Sequence, residues 1–240
     1  MNKQSMDPYG LALRDYFNGD RSSTLILHRD DGREFELPAK VFFAEPPEFT
    51  KIEKLALELC FGHVLDIGAG TGRHSLELQN KGLNVYAIDI AAEAVEIMKK
   101  RGVKKVECKD IFAFNNGQFD TLLLLLHGIG MVETIAGLNK FLKHAHSLIR
   151  PNGLLIFDSL DVRRTDDPAN LAYQESNRLK NRYIGEIHLQ FEYKGQKGDP
   201  WIWLHVNPET LYHEASKAGW VFEMIYEEPW GDYLAKLTEK

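Results

Sequence analysis

Three acids and a spaced set of glycines carry the clearest chemistry in this chain of 240 residues. Val64-Leu65-Asp66-Ile67-Gly68-Ala69-Gly70-Thr71-Gly72 turns from an apolar run into a loop with glycine at every second position. Glycines placed directly after a strand let the chain turn sharply and let a ligand lie against bare backbone. A helix beginning there aims free N–H groups and the positive end of its dipole at the same point. Asp66 stands inside the apolar run, where a carboxylate needs hydrogen-bond partners, either loop N–H groups or the ammonium of an amino-acid-like ligand. Asp89 closes the next apolar run, nineteen residues past Gly70, a place from which it can accept both hydroxyls of a ribose. Asp110 ends a third run and is followed by Ile111. Each acid has a plainer reading: Asp89 as cap of a helix starting near Ala91, Asp110 as cap of the link after it. Agreement with the glycine loop favours the ligand.

The elements that must position these residues begin at Gly62. The pattern predicts strands at His63–Ile67, Asn84–Asp89, Lys104–Cys108, Phe119–Leu126 and Leu154–Asp158. Helices are predicted near Arg73–Lys81, Ala91–Arg101 and Met131–Ile149. Unbroken apolar runs such as Leu122–Leu126 suit parallel strands covered on both faces. Strands alternating with helices imply right-handed crossovers and a doubly wound α/β sheet. Upstream, Asp7-Pro8 signals a helix start. Thr24–His28 and Arg33–Leu37 flank Asp30-Asp31-Gly32 as a β-hairpin. Residues 159–182 are polar and read as an excursion above the sheet. Tyr183–Tyr193 and Trp201–Val206 bracket Gly195–Gly198 as a second hairpin, inserted after the fifth strand. Pro208 opens a helix, and Trp220–Glu227 and Tyr233–Leu237 read as closing strands. The expected organisation is an N-terminal helix and hairpin over residues 1–60, then a domain over 61–240 interrupted by an insertion at about 159–206.

Composition narrows the partners. The net charge of −6 disfavours a nucleic-acid-tracking role. Lys99-Lys100-Arg101 and Lys104-Lys105 read as a solvated face around a turn. Cys60 and Cys108 lack a metal-like partner spacing and form no disulfide framework, which suits a reducing cytosol. MNKQSMDPYG holds no apolar run of the kind a signal peptide needs, and Leu122–Leu126 is too short to span a bilayer. The expectation is a cytoplasmic protein that binds no membrane. The histidines share no metal spacing; His144 and His146 lie two apart on a helix and cannot face the same way, so no metal site is expected.

A nicotinamide dinucleotide fold uses a related loop, G-x-G-x-x-G, but that pattern needs glycine where Arg73 stands. The spacing here, with acids at two following strand ends, resembles the class I, Rossmann-like S-adenosylmethionine-dependent methyltransferases over about residues 62–158 and 207–238. Asp66–Gly72 resembles their first motif and Tyr86-Ala87-Ile88-Asp89 their second. Lys109-Asp110-Ile111 looks like the adenine-contacting third, Phe119-Asp120-Thr121-Leu122 like the strand entering the substrate face, and Arg150-Pro151-Asn152-Gly153 like the turn before the fifth strand.

The resemblance implies a seven-stranded, mostly parallel sheet with an antiparallel last strand, and S-adenosyl-L-methionine as methyl donor. It implies Gly68, Ala69 and Gly70 against the methionine part, with Asp66 beneath them. Asp89 would take the ribose, Ile90 would pack on adenine, and Asp110 and Ile111 would hold the adenine edge. Leu126 and His127, past the fourth strand, would sit near the sulfonium, and Arg73 would meet the cofactor carboxylate. His127 is the candidate catalytic base, since imidazole titrates near neutrality; its plainer role is packing beside the cofactor. The Asn/Asp-Pro-Pro-Tyr/Phe motif of amine-methylating relatives, the acidic metal ligands of catechol-type enzymes and the paired-glutamate loop of protein arginine methyltransferases are not evident. Both added hairpins lie where lids form. Tyr9, Tyr16, Phe42, Phe43, Tyr183, Trp201 and Trp203 are candidate pocket walls, or else the packing of two small sheets. A small-molecule acceptor is the leading expectation. Protein or tRNA methylation and a non-catalytic cofactor-binding module are the alternatives.

Overall fold

The computed structural model describes residues 2–240. In chain order the elements are α1 (Lys3–Phe17), β1 (Thr24–Arg29), β2 (Glu34–Pro38), α2 (Lys51–Leu59), β3 (His63–Ile67), α3 (Arg73–Asn80), β4 (Asn84–Asp89) and α4 (Ala92–Arg101). They continue as β5 (Val106–Cys108), β6 (Phe119–Leu124), α5 (Ile135–Leu148), β7 (Ile149–Leu160), α6 (Pro168–Leu179) and β8 (Glu186–Tyr193). The last are β9 (Gln196–Lys197), β10 (Trp201–Leu204), α7 (Pro208–Lys217), β11 (Trp220–Glu227) and β12 (Asp232–Glu239).

The main sheet has seven strands in the order β11-β12-β7-β6-β3-β4-β5. β12 runs antiparallel to both neighbours, and β3, β4, β5, β6 and β7 pair in parallel. One face buries Leu65, Leu122, Leu124, Phe141 and Phe157, and the other buries Val64, Leu123, Ile156 and Leu234 under α2 and α3. Alternation along β3 and β6 sends neighbouring apolar residues to opposite faces, so the runs must be apolar throughout. The expected doubly wound sheet is present.

The additions differ from expectation in an instructive way. The two hairpins do not form two small sheets. They join through β1 and β8, antiparallel with Leu27 opposite Phe191, into one sheet ordered β10-β8-β1-β2, with β9 pairing β8. Neither hairpin alone can bury its apolar face; together they do so over α1, with Leu25, Leu189, Phe191 and Trp201 in a shared core with Leu13. Helix α1 begins at Lys3 rather than at Asp7-Pro8, because Asn2 and Ser5 form a reciprocal capping box that starts it earlier. The polar stretch 159–182 holds α6, opened by Asp167, whose carboxylate accepts from the Ala169 amide at 2.8 Å, with Pro168 at the first turn. β7 extends back through Arg150–Gly153, bulging against β6 instead of turning. α5 starts only at Ile135, capped by Thr134, since Gly128–Val132 forms a 3-10 turn. No helix among the described residues is long and apolar enough to cross a membrane.

Candidate active site

The carboxyl ends of β3, β4 and β6 open into a cavity of about 640 Å³ roofed by the second sheet and α1. Open α/β sheets bind ligands at this edge. Asp66, Gly68, Ala69, Gly70, Arg73, Asp89, Ile90, Asp110, Ile111, Leu126 and His127 all line it. Residues that the sequence scatters over sixty positions are thus brought to one wall.

The loop after β3 has the geometry its glycines predict. Gly68, Gly70 and Gly72 have φ of 70°, 57° and 78°, a region that side chains strain to enter. The amides of Gly68 and Ala69 donate to the Ile88 carbonyl at 2.9 and 3.0 Å, fastening the loop to β4. The Gly70 amide donates to Asp89 Oδ2 and the Ala91 amide to Asp89 Oδ1, each at 2.8 Å. Asp89 is buried, and burial pushes its carboxyl up to about 6 against those two hydrogen bonds. The buried Asp66 accepts from the Ser75 hydroxyl at 2.5 Å, and burial raises its pKa too. Asp110 accepts from the Phe112 amide at 2.8 Å, so its capping role is realised, while the residue still lines the cavity.

Arg73 is committed more heavily than the sequence implied. Its guanidinium meets Glu53 of α2 and donates to the Val41 carbonyl at 2.6 Å, while Nε is buried without a partner among the described residues. His74 Nε2 also meets Glu53, at 2.6 Å. Burial opposes the charge of Glu53, but the hydrogen bond and charge of His74, with the Arg73 charge, hold it down to about 2. Two terminal nitrogens of Arg73 are therefore spent inside the protein rather than offered to a ligand.

His127 follows β6 with φ of 58°, as does Leu126. Its amide donates to both oxygens of Asp158, each at 3.0 Å, and its Nε2 lies 2.7 Å from Asp232 Oδ1. Burial disfavours a charged imidazole, but the Asp232 hydrogen bond and the charges of Asp158 and Asp232 outweigh it, and the pKa rises. Held through Nε2, His127 has Nδ1 without a hydrogen-bond partner among the described residues, beside a cavity to which the side chain is 31% exposed. His205 stands edge-on to it, ring centroids 5.2 Å apart. The sequence pattern missed Glu53, Asp158, Asp232 and His205. Only the position of Asp158 at a strand end resembled the other acids.

Of the aromatic residues expected as walls, Tyr9, Phe42, Trp201 and Trp203 line the cavity. Tyr16 and Phe43 stack on each other at 4.8 Å, and Tyr183 packs against the main core. A Cβ added at Gly70 would lie 3.0 Å from the Tyr9 hydroxyl, so α1 reaches the glycine loop.

A family model described as a methyltransferase domain matches residues 40–223. A crystal structure of an S-adenosylmethionine-dependent methyltransferase from Bacteroides fragilis, in complex with S-adenosyl-L-homocysteine, superposes with a TM-score of 0.86. It is 33% identical and covers 100% of this chain and 97% of that one. This chain belongs to the S-adenosylmethionine-dependent methyltransferases. Its methyltransferase fold is shared more distantly with the CcbJ methyltransferase of Streptomyces caelestis, 12% identical over 82% of this chain and 92% of that one, TM-score 0.62. The ubiquinone biosynthesis O-methyltransferase of Xanthomonas euvesicatoria pv. vesicatoria (strain 85-10) is 27% identical over 132 residues, 52% of this chain and 54% of that protein. The chain spans about half the length of the curated relatives it matches. The cavity suits the family's cofactor: a bare glycine cradle, and a buried acid at its edge with acceptor capacity beyond its two amides.

Proposed function

We propose that this chain transfers a methyl group from S-adenosylmethionine to a small molecule by in-line displacement. The observation that carries the reading is the roof: the joined hairpin sheet covers the space beyond the glycine loop with Leu27, Phe191, Trp201 and Trp203. A polymer needs an open or basic groove there, whereas an apolar ceiling suits a compact acceptor. On this reading residues 1–60 and about 159–206 are lid additions to the methyltransferase domain of residues 61–240. The free Cys60 and Cys108 suit a reducing, cytoplasmic setting.

When bound, the donor supplies an already activated methyl group, so the protein's task is alignment and exclusion of water. Gly68, Ala69 and Gly70 offer bare backbone to its amino-acid part, and Asp89 accepts the ribose hydroxyls with the lone pairs its two amides leave. Ile90 and Ile111 flank the base, and Asp110 holds its edge. Asp232 fixes His127 through Nε2 and leaves Nδ1 toward the acceptor, the arrangement that makes an imidazole a directed base. Arg73 contributes indirectly, by holding α3 and the Val41–Phe42 segment against the loop.

Calorimetry with S-adenosylmethionine and S-adenosyl-L-homocysteine, followed by incubation of the protein with methyl-labelled donor and a cell extract, tests this. Label in the low-molecular-mass fraction is expected. Label confined to protein or RNA would overturn the small-molecule reading, and binding without any transfer would make the chain a cofactor-binding module.

A further inference from the structure

The roof of the cavity is largely apolar, its polar groups being the Tyr9 hydroxyl, the Trp201 indole nitrogen and the His205 imidazole. Alternation along β10 places Trp201, Trp203 and the following His205 on one side, and all three line the cavity. Trp203 is wedged against the 3-10 turn after His127: a Cβ at Gly130 would sit 2.3 Å from its ring. His205 is fixed through its backbone, its amide donating to the Gly185 carbonyl at 2.8 Å and its own carbonyl pressed on Gly185. Its imidazole, by contrast, makes no hydrogen bond within the described residues, and Nδ1 is buried. A polar group left in this state is destabilising, a penalty that a ligand hydrogen bond can relieve.

The charges around it restrict that ligand. Burial and the neighbouring His127 charge push His205 down to about 3, so it stays neutral. His127 is already flanked by Asp158 and Asp232. Arg73 is held by Glu53, Lys109 lies 3.9 Å from Glu107, and Lys140 sits over the Phe112 ring. Among the described residues no lysine or arginine charge acts on His205; only those of His127 and Asp232 do.

We propose that His205 binds the methyl acceptor, and that the acceptor is a flat, largely apolar molecule whose uncharged hydroxyl hydrogen-bonds this imidazole while its body lies against Trp203. The proposal rests on the methyltransferase reading and adds an acceptor class and a specificity residue to it. His205 acts by positioning; it takes part in no bond change.

The test uses the full chain saturated with S-adenosyl-L-homocysteine and a matched series of probes: 2-naphthol, 2-naphthoate and naphthalene. 2-Naphthol is expected to bind about tenfold more tightly than naphthalene, the value of one hydrogen bond, and to move the His205 signals in spectra of 15N-histidine-labelled protein. His205→Phe is expected to erase that preference, and His205→Gln, which keeps a polar group, to retain part of it. Both variants should bind S-adenosyl-L-homocysteine as the unmodified protein does, and a His205→Phe chain that fails this check is replaced by His205→Gln as the deciding variant. The proposal is overturned if 2-naphthoate binds best, if 2-naphthol gains nothing over naphthalene or neither binds, or if the preference survives His205→Phe. Failure of the unmodified protein to bind S-adenosyl-L-homocysteine would instead sink the methyltransferase reading itself.

Discussion

Cofactor affinity should depend on pH through Asp89, and the size of the effect follows from its surroundings. The carboxylate accepts two amides, from Gly70 and Ala91, each at 2.8 Å, out of roughly four lone-pair sites. Burial outweighs the backbone hydrogen bonds and leaves its pKa at about 6, so near neutrality the free protein holds a costly charge. Two ribose hydroxyls donating to the remaining sites would favour the ionised form and return the pKa toward its ordinary value of about 3.9. A ligand that binds the ionised form releases a proton at acid pH and binds less tightly there. With those two values, affinity for S-adenosyl-L-homocysteine should rise about tenfold between pH 5 and pH 7 and then level off. The sign for folding is the reverse. A raised carboxyl pKa means that the native state binds more protons, so stability of the cofactor-free protein falls as pH rises from about 4 to 6.

Calorimetry at both pH values, in buffers of different ionisation heat, reads the affinity and counts the protons released. Asp89→Asn removes the titration and puts an amide where one of the two backbone donors must sit. Affinity at pH 7 should fall by about 10- to 100-fold, since hydrogen bonds to a charged group are worth about 1.5–3 kcal/mol, and the dependence between pH 5 and 7 should shrink. A residual slope in that variant would report a group other than Asp89. Equal affinities at pH 5 and 7 in the unmodified chain, with no proton release, would refute the assignment of Asp89 to the ribose.

Asp232→Asn should move the rising limb of the kcat/KM profile to lower pH by about one unit, because His127 loses the partner that raises its pKa; an unmoved limb would remove His127 as the base. Glu53→Gln should lower stability by about 3–5 kcal/mol, read as a fall of roughly 10 °C in Tm, because it strands the buried Arg73 and His74 without a countercharge. Since Glu53 is held down to about 2, the unmodified chain should lose this contribution as pH falls from about 4.5 toward 2, and the variant should not. Gly72→Ala should cost about 1–3 kcal/mol in chemical denaturation, as its φ is 78° and the new Cβ would meet Val103 and Met98 at 2.7 and 2.9 Å. An unchanged midpoint would show that the turn relaxes freely.

The sheet and the glycine loop were legible because their signals are local. β3 and β4 fall at their expected bounds since each is a continuous apolar run, buried on both faces, that stops at glycine or aspartate. The fusion of the hairpins was not legible. His28 and Glu192, 164 residues apart, meet across β1 and β8, and no spacing in either hairpin names its partner. The helix α6 was missed for a different reason. Residues 159–182 read only as a polar excursion, because the segment is too polar to show a clear apolar stripe. The candidate site divides the same way. Asp89 and Asp110 announced themselves after apolar runs and Asp66 within one, whereas Asp158 and Asp232 are joined to His127 only through tertiary pairing, 31 and 105 residues away.

The roof is not an independent cap resting on a finished site. The Thr71 hydroxyl donates to the Phe42 carbonyl, Arg73 donates to the Val41 carbonyl, and Arg101 reaches Thr71 Oγ1 at 2.8 Å. The segment that leads out of β2 is thereby tied to the glycine loop, and α1 touches the same loop through Tyr9. Tyr9 stays protonated, because burial first and the Asp89 charge second raise its pKa, so its hydroxyl adds no negative charge beside that acid. Closing a site expels water, which strengthens the electrostatic interactions inside it and limits side reactions. The Thr71 and Arg73 contacts fasten the segment below the apolar ceiling to the glycine loop. They also explain why the additions stand where they do, before the first strand and after the fifth: each enters from the carboxyl edge, and neither covers the site without the other.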